Sequence, residues 1–275
     1  MSEIIFPEGV TWDQRYLTGG DFYNGNPPIA VGNLYRSTQN TIIDIGWDTS
    51  NVTNMSYMFN DSNKVVNIYG LDTSSATNMK GIFSLCGSLA SIPQLDTSNV
   101  TDMSYMFNGC SEVVHIPDLD TSNVTDMTSM FSNCCLLVSI PRLDTSKVKW
   151  IESIFTYTTK LITIPLLDFG SVTDTTGPWG YSSTATAKNL GGFKNLKLSW
   201  SSGGFKALDL TVESLMNVIN NLWDWTDYPD GKAPLNDGTI YNFGTTHNLY
   251  LGSTNLNKLS DEQKAIATNK GWTLS

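Results

Sequence analysis

Hydrophobic side chains return along this chain at a fixed step of 24 residues, and the polar residues between them return with it. Val52, Ala76, Val100, Val124 and Val148 open the pattern. Met55, Met79, Met103, Met127 and Ile151 follow three residues on, then Met58, Ile82, Met106, Met130 and Ile154, each with a phenylalanine beside it at Phe59, Phe83, Phe107, Phe131 or Phe155. Steps of three, three and one are helical spacing, so each unit predicts about two turns of helix here. The second half of each unit changes period. Val66, Ala90, Val114, Val138 and Ile162 stand two residues before Ile68, Ile92, Ile116, Ile140 and Ile164, which predicts a short strand with both sets inward. Pro93, Pro117, Pro141 and Pro165 follow in four units and, having no N–H to donate, should end the strand pairing there.

Five units run without insertion, 48–71, 72–95, 96–119, 120–143 and 144–167, and a sixth opens at Leu167-Asp168 and fades after Val172. A period carried by a whole pattern marks a stacked array in which each unit is one rung. The residues therefore predict an α/β solenoid with short parallel strands on one face and short helices on the other. Asp48, Asp72, Asp96, Asp120 and Asp144 open the tripeptide Asp-Thr-Ser, and Asp168 keeps the step. Ahead of a helical stretch such residues cap unpaired N–H groups; the rival reading is a column of carboxylates that holds divalent cations.

The array divides the chain into an N-terminal cap or docking segment (1–47), regular repeats (48–170), a loop (171–192), and irregular repeats with a terminal cap (193–275). In the first segment Gly32-Asn-Leu-Tyr-Arg and Ile42 to Gly46 could pair with the first rung, and Asn24 to Pro28 reads as a loop. In the last, Leu196-Lys-Leu198, Leu208-Asp-Leu210 and Leu249-Tyr-Leu251 predict strands, and Val212 to Leu222 a helix capped by Thr211. Ser260 and Gln263 form a capping box for a helix that stops at Gly271. Trp272-Thr-Leu274 then follows Leu249 at 23 residues, close to the repeat step.

Composition narrows the partners. Only 15% of residues are charged, so the surface leans on Ser, Thr and Asn, and a net charge of −10 opposes a nucleic-acid phosphate backbone. No apolar run is long enough for a membrane span or a signal peptide. Cys86, Cys110 and Cys134 share one offset, with Cys135 beside the last, and read as buried thiols stacked rung on rung. His115 and His247 lie in no metal-ligand spacing, and no nucleophile elbow, phosphate loop or dinucleotide fingerprint is present. No cofactor, metal set or catalytic residue is expected, and the chain reads as a non-enzyme.

Binding is the remaining chemistry. Side chains at offsets free of packing duty can vary on a constant frame. Asn67, Ser91, His115, Ser139 and Thr163 share one such outward offset, Tyr69 replaces proline at the next but one, and Gln94, Asp118 and Arg142 occupy a third that holds Gly70 and Leu166 elsewhere. Trp223 and Trp225, in an aromatic-rich C-terminal third with Trp179, Trp200, Tyr228 and Tyr241, are the second group of candidates: exposed they would stack on sugars or anchor an interface, buried they would fill a cap.

Asp-Thr-Ser-Asn-Val-Thr-Asp-Met-Ser-Tyr-Met-Phe at 96–107, nearly repeated at 48–59 and 120–131, resembles the BspA-like leucine-rich repeats of bacterial surface proteins. The resemblance covers about 45–172 and implies a leucine-rich-repeat solenoid used for adhesion to host proteins, cells or glycans. The ending from Asn248 to Ser275 looks like tails that accompany such repeats in phages and prophages of gut bacteria. The expectation is thus a recognition or structural protein, a phage virion component of tail- or head-fibre type. It would bind a host-surface glycan or protein beside other virion or surface proteins, in an extracellular particle. A bacterial cell-surface or secreted adhesin and a purely architectural virion decoration are the alternatives.

Overall fold

In the computed structural model, which describes residues 40–46, 48–173, 177–178, 187–198, 205 and 208–275, the 24-residue units lie one on the next in register. The expectations for Asn24 to Pro28, Gly32 to Arg36, Trp179 and Trp200 fall outside those residues. Parallel bridges join Asn54, Asn78, Asp102, Asp126 and Trp150 in one unbroken column.

The predicted helices of the repeats are absent, and the backbone hydrogen bonds say why. Within the first unit the N–H groups of Met58, Asn60 and Ser62 close tight turns on the carbonyls three residues back, all at 3.1 Å. Those of Met55, Tyr57, Phe59 and Asp61 cross to the next unit, reaching Asn78, Lys80, Ile82 and Ser84 carbonyls at 2.7 to 2.9 Å. Alternate residues thus bond within and between rungs, and no stretch has the four-residue bonds of an α-helix. Two positions per rung are left-handed: Tyr57, Gly81, Tyr105, Ser129 and Ser153 at one offset, and Asp61, Leu85, Gly109, Asn133 and Tyr157 four residues on. A left-handed residue at the third place of a turn is incompatible with helix continuation. The three-residue hydrophobic step is shared by a helix and by a chain of such turns, which is how the sequence pattern misleads.

The same step corrects the strands. Val65, Leu89, Val113, Leu137 and Leu161 face inward, three residues before the buried or half-buried isoleucines, whereas Val114, Val138 and Ile162 are 38%, 38% and 45% exposed. Strands are correspondingly short. β1 (Ile42–Asp44) pairs in parallel with β2 (Asn67–Tyr69), and β3 (Thr163–Ile164) and β4 (Leu167–Asp168) pair in parallel with β5 (Asn189–Leu190) and β6 (Phe193–Lys194). β5 lies inside the segment expected to be a loop; its Leu190 pairs with Ile164 at 26 residues, so two extra residues hide it from the period. β2, the one repeat strand of three residues, carries Tyr69 where the next four units carry proline.

Among the described residues the helices are confined to the C-terminal part. α1 (Val212–Asn220) starts at Thr211, whose hydroxyl accepts from the Ser214 N–H, and buries Leu215, Val218 and Ile219. Antiparallel β7 (Lys232–Pro234) and β8 (Ile240–Asn242) form a hairpin that the sequence pattern does not announce. β9 (Asn248–Leu249) is followed by α2 (Gly252–Leu256) and α3 (Asp261–Asn269), with the capping box of Ser260 and Gln263 formed in full, and then by β10 (Thr273–Leu274), parallel to β9. Leu196 makes a single bridge to Leu222, and Leu208 to Leu210 form no strand. Among the described residues the strands make only two-stranded sheets, and no barrel closes.

A column of stacked rings runs through the core: Phe59, Phe83, Phe107, Phe131 and Phe155, each fully buried, with successive centroids 5.7 to 6.3 Å apart and ring planes within 16°. Burying one such ring stabilises by roughly 1.5–3 kcal/mol before its stacking is counted. Beside it Cys86, Cys110 and Cys134 are free thiols, each donating at 3.1 Å to the carbonyl of the preceding rung's phenylalanine. Burial pushes the Cys86 thiol up to about 12 and raises the other two as well.

Candidate functional site

The aspartate ladder edges the face that carries the variable offsets. Its carboxylates do not cap helices: each closes a tight turn, accepting the N–H two residues on at 2.8 to 3.0 Å from Ser50, Ser74, Ser98, Ser122, Ser146 and Gly170. Bonds from the serine hydroxyl and then its N–H hold Asp48, Asp96, Asp120 and Asp144 below the usual carboxylate range. Among the described residues no group of three or more His, Cys, Asp or Glu side chains is arranged to hold a metal ion.

The next residue of the motif fastens one rung to the following one. Thr49 donates its hydroxyl to the Asp72 carbonyl and accepts the Asp72 N–H, both at 2.8 Å, and Thr73, Thr121 and Thr145 clasp Asp96, Asp144 and Asp168 in the same way. The array has one gap. Thr97, 2% exposed, leaves its hydroxyl without a partner.

Two grooves open along this face at the same run of offsets. The first, about 620 Å³, is walled by 67–73 and by Ser91, Pro93, Gln94 and Asp96, so it gathers the candidates Asn67, Tyr69, Ser91 and Gln94. The second, about 990 Å³, brings Asp118 and Arg142 together with Leu166 and Lys194 over Asp120, Asp144 and Asp168. His115 and Thr163 are exposed and Ser139 half-buried, outside the lining of both. The charged lining residues that the stripe of variable offsets omits are the ladder aspartates and Lys194. The ladder stands only two residues past Gly70, Gln94, Asp118 and Arg142 and so was within reach of the spacing; Lys194 follows the irregular insertion and gave no signal.

Neither tryptophan candidate lies on this face. Trp225 is 4% exposed and stacks on His247 with centroids 3.7 Å apart and planes 5° off parallel. Burial lowers the His247 pKa, and the pair fills the C-terminal core together with Trp272. Trp223 is half-buried, packed against Tyr228, with the Lys197 ammonium 4.2 Å over its ring. Lys197 is itself 2% exposed; its Nζ donates to the Gly170 carbonyl at 3.0 Å and the Pro234 carbonyl at 2.7 Å, and burial pushes its pKa down to about 8 against the pull of Asp168. It pins the β7–β8 hairpin onto the last regular rung. There Asn236 donates to the Ser146 carbonyl, and a Cβ at Gly170 would strike the Asn236 amide.

Stacked 24-residue units with a constant core and differing side chains along one grooved face define a repeat protein. The family described as "Mycoplasma protein of unknown function, DUF285" matches residues 31–133 and 86–190, together more than half of the chain, and the chain belongs to that family. Comparisons with curated proteins and with solved structures gave no match. No helix among the described residues is long and apolar enough to cross a membrane.

Proposed function

We propose that the chain is a leucine-rich-repeat solenoid of the BspA-like kind that works by recognition, as a fibre-type component of a phage particle that binds the surface of its host cell. The observation that carries the reading is the pair of grooves: the same offsets line both, above a near-constant core, yet the side chains there differ from rung to rung. Such a frame presents a non-repeating surface at no packing cost. The likeness of 248–275 to phage-encoded tails supports the virion over a bacterial adhesin. The test is binding of labelled protein to a panel of gut-bacterial cells and their surface polysaccharides, beside a variant carrying Gln94→Ala, His115→Ala and Arg142→Ala. Saturable binding weakened at least tenfold in the variant supports recognition through this face. Absence of binding to every cell and polymer leaves an architectural part whose repeats serve assembly.

A further inference from the structure

At the first groove the strands on the two sides are parted. Among the described residues no backbone hydrogen bond crosses between 66–71 and 90–95, and residues 90–95 make no backbone bond to any other described residue. The step from 90–95 to 114–119 is open as well, whereas steps toward the two ends are bonded: Val66 reaches the Thr41 carbonyl at 2.8 Å, Ile162 reaches Val138 at 3.0 Å, and Lys188 reaches Ile162 at 3.0 Å. Proline accounts for the start of the break, since Pro93 has no N–H where Tyr69 has one. The rungs are nonetheless held together on both sides of it, by the Asn54–Asn78 bridge and by the Thr73–Asp96 clasp at 2.8 and 2.9 Å. The opening is thus a fixed slot with unpaired N–H and C=O groups on both walls.

We propose that this slot is the binding subsite for a neutral sugar residue of the polymer recognised by the protein, with Tyr69 as its stacking platform. This deepens the recognition reading given above and rests on it. Sugar hydroxyls both donate and accept, and so match mixed unpaired backbone groups flanked by the amides of Asn67 and Gln94 and the hydroxyl of Ser91. Tyr69 is 56% exposed at the slot, an aromatic face for the apolar face of a pyranose. Charge selects within the class: Asp72 and Asp96 line the slot with no basic side chain beside them, so uronates, sialic acids and phosphorylated sugars are repelled. The second groove, with Arg142 and Lys194 among its carboxylates, has no such bias.

The test is calorimetric titration of the full chain with maltotriose, chitotriose, galactotriose and trigalacturonate, using wild type, Tyr69→Ala, Tyr69→Phe and, as a control outside both grooves, Asp227→Ala. The expected result is binding of at least one neutral trisaccharide, none of trigalacturonate, a loss of at least tenfold in Tyr69→Ala, and less than threefold change in Tyr69→Phe and Asp227→Ala. Equal binding of trigalacturonate, or unchanged binding by Tyr69→Ala, overturns the assignment. Host-cell binding that survives Tyr69→Ala while no neutral sugar binds also overturns it and leaves recognition through another part of the face. Binding of the wild type to no host cell and to no sugar removes the recognition reading as well.

Discussion

A threonine one residue past four of the six aspartates is the smallest unit that fastens rung to rung. Its hydroxyl fills two backbone needs at once, the N–H and the C=O of an aspartate 23 residues away. Thr121→Val leaves both groups of Asp144 without their partner and is expected to cost about 1–3 kcal/mol. Thr97 offers a control built into the same molecule, since its buried hydroxyl has no partner to lose. Thr97→Val removes an unsatisfied polar atom and keeps the shape, so it should leave stability unchanged or raise it. Urea unfolding midpoints of the two variants against wild type measure the difference, and equal losses would refute the clasp. In the sequence these threonines read as part of a cap, because the residue they serve is distant along the chain and only stacking brings it near. The aspartate's turn-closing role was closer to legible, since Asp-x-Ser carries its partner two residues on.

At the scale of one rung, the period of 24 and the identity of the core column were plain, and the kind of local structure was not. Both helix and successive tight turns place every third residue inward; the discriminating feature is the sign of φ at Tyr57, Gly81 and Leu85, and only glycine betrays that in a sequence. Gly81 shows the constraint twice over, since a Cβ there would also run into the Tyr57 ring. Leu85, 47% exposed with φ of 60°, holds a conformation that costs an L-residue roughly 1–2 kcal/mol. Leu85→Gly therefore should stabilise the fold by up to about 1 kcal/mol despite glycine's looser unfolded chain, and a lowered unfolding midpoint would contradict the turn geometry. The ring column makes the opposite case. Phe107 lies between Phe83 and Phe131 at 5.9 Å from each, so Phe107→Ala opens a cavity between three rungs and should cost about 3–5 kcal/mol in the same assay. The strands were misread by one residue for the same reason as the helices: the three-residue step runs on through Val65 and Ile68 instead of changing to two.

The whole molecule's response to alkali follows from what its core buries. Cys86, Cys110 and Cys134 have thiols raised above the ordinary 9.0, so in the folded chain they stay protonated while in the unfolded chain they ionise. The unfolded state then binds fewer protons, and stability falls as pH rises through 9, by about 1.4 kcal/mol per pH unit per thiol, or about 4 for the three together. Lys197 works in the other direction. Its pKa is lowered from 10.5 to about 8, so between those values the unfolded state holds a proton that the folded state has released, and the lysine adds about 1.4 kcal/mol of stability per unit. Three thiols outweigh one lysine. Wild type should accordingly lose roughly 3 kcal/mol per unit between pH 9 and 10.5, with Tyr57, whose phenol is also raised by burial, adding to the loss above its ordinary 10.0. Lys197→Met removes the opposing contribution and leaves the Gly170 and Pro234 carbonyls without their donor. That variant should be less stable at pH 7 by about 1–3 kcal/mol and lose stability more steeply above pH 9. Denaturant midpoints at pH 7, 8, 9 and 10 for wild type and variant test both statements. Parallel curves would mean that Lys197 keeps its proton through this range and that burial does not weaken its hold on the hairpin.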